Sequence, residues 1–111
     1  MGAHRPVSRY TREAVLLLGK QIRLGRKARR WSEQALAERA GLSRATLQKI
    51  EKGDLSVAVG SVFEAAVLVG VSLFDEDPAS LPAHIARADD RLSLLPSAAR
   101  KRRGIEVDDD F

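Results

Sequence analysis

No cysteine occurs among the 111 residues, so disulfides and thiolate metal sites are excluded and a reducing compartment suits the chain. No apolar run approaches the roughly 20 residues that a membrane helix needs. The basic N-terminal start lacks the apolar segment and cleavage site of a signal peptide. A cytoplasmic protein without a membrane partner is therefore expected. The two histidines, His4 and His84, lie far apart and have no further ligand at a useful spacing, so neither metal nor any other cofactor is expected. Asp108, Asp109 and Asp110 are consecutive. In an extended chain they point alternately to opposite sides, which makes no cation cage. No Ser/His/Asp set or pair of carboxylates suggests catalysis, and an enzyme is not expected.

What is present is unevenly distributed. Residues 1–53 carry 13 Lys/Arg against four Glu, whereas residues 54–111 carry 6 basic and 11 acidic residues. A basic face in the first half suits a polyanion, and the second half is left for another task. The pattern is helical and broken by turn signals. Thr11 reads as the N-cap of a first helix, with Glu13 in its first turn. Leu18, Ile22 and Arg26 recur at helical spacing and mark its inward face.

The stretch "WSEQALAERAGLSRATLQKIEKG" then encodes two short helices rather than one. Ser32 is an N-cap, and Trp31 before it has the spacing to pack on Leu36 as a hydrophobic staple. Gly41 ends the helix in a left-handed C-cap. Ser43 caps the next helix two residues later, Leu42 and Leu47 repeat the staple, and Gly53 closes it. So short a turn sets the helices steeply across each other, a helix-turn-helix arrangement. A fourth helix is expected at about residues 59–69, with Val59, Val62, Phe63, Ala66 and Val69 buried; Val71 and Phe74 are expected to complete the core. "DEDP" marks a boundary. Beyond it Leu81, Ile85, Ala88, Leu92 and Leu95 form a short heptad seam, either a contact between two copies or part of the chain's own core.

From about Leu18 to Phe74 the chain resembles the lambda-repressor/Cro (XRE) family of DNA-binding domains. The motifs that carry the likeness are "IRLGRKARR", "SEQALAERAGLSRATLQKIEKG" and "VLVGVSLF". The fold class expected is all-α: a five-helix lambda-repressor-like helix-turn-helix bundle, a C-terminal helical extension and an extended acidic tail. In domains this gives a flexible basic N-terminus at 1–10, the DNA-binding domain at 11–75, the extension at 76–99 and the tail at 100–111.

The second helix of such a pair enters the major groove with its N-terminal part foremost. Arg44, Ala45, Gln48 and Lys49 are thereby candidates for base contacts, with Leu47 and Ile50 on the buried side. Ser32, Ser43, Thr46 and Lys52 are candidates for phosphates. The resemblance further implies a largely buried ion pair between Arg26 and Glu51. It also exposes a departure: the family often has Gln where this chain has Glu33. An acid there repels phosphate but can pair with Arg44.

The expected partners are double-stranded DNA with an inverted-repeat operator and a second copy of the chain. Two functions follow. One is an antitoxin, since "RKRRGIEVDDDF" resembles the endings of HipB-class proteins, whose partners are HipA-like kinase toxins. In that reading Ile105 and Val107 add a strand to a partner, while Asp108, Asp109, Asp110 and Phe111 meet a basic-rimmed pocket. The other is a stand-alone or phage-type regulator with no toxin, whose acidic tail is merely solvated.

Overall fold

The computed structural model describes residues 6–74 and 77–96. It is all-α, with five α-helices and no strand among the described residues. The chain divides into two compact units, residues 1–74 and 75–111. The first unit holds α1 (Arg9–Ala28), α2 (Glu33–Ala40), α3 (Arg44–Glu51) and α4 (Val59–Leu68). The second holds a 3-10 turn at Pro78–Ser80 and α5 (Leu81–Leu94).

Short polar side chains start three of these helices. The Ser32 hydroxyl accepts the Ala35 backbone N–H at 3.0 Å, and Ser43 accepts that of Thr46 at 3.0 Å. Each satisfies a donor that the first helical turn leaves unpaired. At α1 the cap is Ser8 rather than Thr11: Ser8 Oγ accepts the Thr11 N–H at 3.0 Å. Both residues have the right chemistry, and the earlier one wins because residues 9–11 are already helical. Glu13 consequently lies beyond the first turn, where it pairs with Arg9 at 3.4 Å.

The four helices of the first unit end in a similar way. A residue at the cap (α2) or just after it (α1, α3, α4) turns left-handed, and the N–H that follows reaches back to a carbonyl in the last turn. After α2, Gly41 has φ 70° and Leu42 N–H donates to Ala37 at 2.8 Å. Gly53 and Gly70 repeat this after α3 and α4, both with φ 80°. After α1 the same place is held by Arg30 at φ 59°, with Trp31 N–H donating to Arg26 at 3.2 Å. A side chain at that angle is strained, and nothing in the local sequence announces it.

The core consists of Ile22, Leu36, Ala37, Leu47, Ile50, Ala65, Ala66 and Val69, with Leu18, Trp31, Leu42, Val57, Val62, Leu68, Val71 and Leu73 around it. Fully burying Ile22, Leu36 or Leu47 contributes about 1.5–3 kcal/mol apiece. Gly19 lets α1 cross α3 closely, since a Cβ there would lie 2.5 Å from the Ile50 carbonyl oxygen. Three expectations about α4 and the segment after it change. Val59 is exposed and Phe63 only half-buried, because the inward stripe runs through half-buried Val62 and buried Ala65, Ala66 and Val69, where two alanines bring the α4 backbone near α2. Phe74 is also exposed, edge-on to Phe63 at 6.1 Å, and Leu73 packs on the core instead.

On α5, Leu81, Ile85, Leu92 and the capping Leu95 are exposed. None of its residues is buried.

Candidate nucleic-acid interface

The interface is built on α3, whose two faces differ sharply. Leu47, Ile50 and Glu51 are buried against the other helices. Arg44, Ala45, Lys49 and Lys52 are exposed, and Thr46 and Gln48 are half-buried. Arg44 to Gln48 thus span the first turn and a half of an eight-residue helix that starts at a three-residue turn. Lys52 lies at the opposite end as the C-cap. It shares the exposed side but not the N-terminal tip.

The serine oxygens are already engaged as cap acceptors. Ser32 and Ser43 accept backbone N–H groups as caps, and the Ser43 hydroxyl donates to Thr46 Oγ1 at 2.9 Å. What α2 and α3 offer an anion at these ends is chiefly the first-turn backbone N–H groups and the positive end of the helix dipole.

Two ties hold α3 in place, and a structured turn follows it. The first joins it to α1. Arg26 Nε donates to Glu51 Oε2 at 2.7 Å and Nη2 donates to Oε1 at 3.0 Å. Both residues are buried, 7% and 8% exposed, and Arg26 Nη1 adds a bond to the Trp31 carbonyl at 3.0 Å. The fork-to-fork geometry satisfies both charges, as burial demands. The bond to Glu51 raises the Arg26 pKa above its ordinary value, against the opposing effect of burial.

The second tie joins α3 to the start of α2. Glu33 Oε1 accepts Gln48 Nε2–H at 3.0 Å and Arg44 Nε–H at 3.4 Å. The Gln48 amide is the main cause that holds the Glu33 carboxyl below its ordinary pKa, with Arg44 and Arg26 adding to it and partial burial opposing. One carboxylate therefore grips two of the candidate base-reading side chains.

The turn after α3 has its own local bonds. The Asp54 carboxylate accepts both the N–H and the hydroxyl of Ser56. Those bonds, the hydroxyl's first, lower its pKa. Asp54 escaped the sequence reading, although Asp two residues before Ser is a known turn signature.

Trp31 carries a further feature without a sequence signal. The Arg39 guanidinium lies 4.2 Å from its ring centroid and Arg29 lies 5.9 Å away. Arg29 also donates to the Val69 carbonyl at 2.8 Å, which links the end of α1 to that of α4. Only the fold brings Arg39 onto Trp31 and Arg29 onto the Val69 carbonyl.

Among the described residues no helix is long and apolar enough to cross a membrane, and no group of three His, Cys, Asp or Glu could hold a metal. Ile105, Val107, Asp108, Asp109, Asp110 and Phe111 lie outside the described residues. Residues 22–75 match the helix-turn-helix family model. No curated protein matches the chain.

Proposed function

Given an XRE-family helix-turn-helix domain at residues 22–75, a domain of DNA-binding transcription regulators, we propose that the chain represses transcription as a dimer on an inverted-repeat operator. The observation that carries this reading is the two-faced α3, with Leu47 and Ile50 buried, Arg44, Ala45 and Lys49 exposed and Gln48 half-buried beside them. Arg44 takes a guanine through its outer nitrogens, Ala45 touches a thymine methyl, and Gln48 and Lys49 bond base edges. The N-terminal ends of α2 and α3, at Ser32 and at Ser43 with Thr46, receive phosphates, and Lys52 adds a screened charge. The domain at 11–75 reads DNA, and the extension at 76–99 pairs two copies through the Leu81–Leu95 seam. Half-sites then lie about 34 Å apart, one helical turn.

The test is a titration of the full chain on the promoter of its own gene at several salt concentrations. With about 6–10 phosphate contacts, affinity should fall roughly 10³–10⁵-fold between 50 and 200 mM salt. A shallow slope with no footprint would overturn the reading.

The antitoxin role is the finer form of this proposal. Its support is the resemblance of residues 100–111 to HipB-class endings, with Phe111 as the anchor and Ile105 and Val107 as the added strand. A kinase toxin resembling HipA would then copurify from the native operon. Deleting residues 105–111 should abolish that copurification and leave operator binding intact. Equal capture of the toxin by the truncated chain would favour the stand-alone regulator.

A further inference from the structure

We propose that Glu33 fixes which way the Gln48 amide faces, and thereby makes Gln48 select adenine over guanine. This rests on the reading of α3 as the base-contacting helix.

An ionised carboxylate only accepts hydrogen bonds. The Gln48 side chain can satisfy Glu33 only by turning its Nε2–H₂ group toward it, which it does at 3.0 Å. The N–H trans to the carbonyl oxygen is the one to commit, since the other would hold that oxygen beside the carboxylate, and the oxygen then points away from Glu33. The outward edge of the amide offers that oxygen together with the remaining N–H. In the major groove adenine presents a donor, N6–H, beside an acceptor, N7, and it matches this edge with two bonds. Guanine presents two acceptors, O6 and N7, so the fixed carbonyl would meet an acceptor. A glutamine free to rotate could present its N–H₂ to guanine instead. The committed one cannot do so without leaving Glu33.

Two further features make Glu33 suited to this task. It is the first residue of α2, where a negative charge complements the helix dipole. Its side chain is 27% exposed and its second partner is Arg44, which offsets the repulsion an acid would exert on a nearby phosphate. Arg44 is held only by Nε, at 3.4 Å, so its terminal nitrogens can still take a guanine bidentately. Glu33 is thus a positioning residue that touches no base.

The experiment is selection from a randomised duplex library with the full-length wild type, Glu33→Gln and Gln48→Ala. Affinities are then measured on the selected duplex and on its single-base variants. The wild type should show one pair per half-site at which adenine is preferred to guanine by roughly tenfold or more. Gln48→Ala should lose the preference at that pair. In Glu33→Gln the residue facing Gln48 can donate or accept, so the same pair should tolerate guanine while every other position keeps its preference. A Glu33→Gln profile identical to the wild type would overturn the inference, as would a change at a pair that Gln48→Ala leaves untouched. A uniform loss of affinity at all positions would do the same, because it would mark Glu33 as structural only. If the wild type enriches no motif, the DNA-reading proposal itself falls, which separates the two failures.

Discussion

Replacing Glu51 by Ala should cost far more than any surface change, and the structure says why. The Arg26 guanidinium has three bonds, two of them to Glu51 at 2.7 and 3.0 Å and one to the Trp31 carbonyl at 3.0 Å. Truncating Glu51 leaves a buried cation with one neutral acceptor. Stranding one member of a buried pair costs about 3–5 kcal/mol. A domain of this size has about 5–15 kcal/mol in all, and the lower end is apt for four short helices. In urea, with a slope near ~1.5 kcal/mol per molar, the midpoint should drop by roughly 2–3 M. Replacing both residues together, Arg26→Met with Glu51→Leu, removes the stranded charge. It should recover most of the loss, because an apolar pair of similar volume needs no solvation. The assay is equilibrium unfolding followed by far-UV circular dichroism, at low and high salt. A Glu51→Ala loss below about 1 kcal/mol would refute the reasoning, since that is the scale of a solvated surface pair.

Three other changes probe different levels of the structure. The Glu33 carboxyl is held below its ordinary pKa of 4.5, so its contribution to stability is complete above that pH and fades as acid protonates it. Glu33→Gln should flatten this part of the acid-unfolding curve, and an unchanged curve would count against the Gln48 tie. Arg30→Gly should raise stability by about 0.5–1 kcal/mol, as relief of the left-handed strain at φ 59° exceeds the entropy glycine adds to the unfolded chain. A lower melting temperature would contradict this. Ile85→Asp places a charge on the exposed α5 stripe and should yield helical monomers by sedimentation. Unfolding instead would assign the stripe to the core of its own chain.

Caps and turns were legible in the sequence because each is a short-range event. Ser32 and Ser43 bond N–H groups three residues on, and Gly41 adopts an angle that its missing Cβ permits. The all-α class and the helix-turn-helix pattern followed from such local signals. Long-range packing decided the rest. Val59 fits the α4 periodicity as well as Ala65 does, but the approach of α2 selects the stripe with small residues. Arg30 is left-handed because Trp31 and Arg26 fix the path out of α1, whatever residue stands between helix and cap. Glu33 and Gln48 are 15 residues apart, and only the crossing of α2 over α3 brings the carboxylate within 3.0 Å of the amide. Where α2 and α3 start and stop was legible, since those energies lie within one turn, whereas the cap of α1 at Ser8 and its left-handed exit at Arg30 were not. Which faces meet and which polar groups find each other depended on the whole core closing, and that is a property of the tertiary fold.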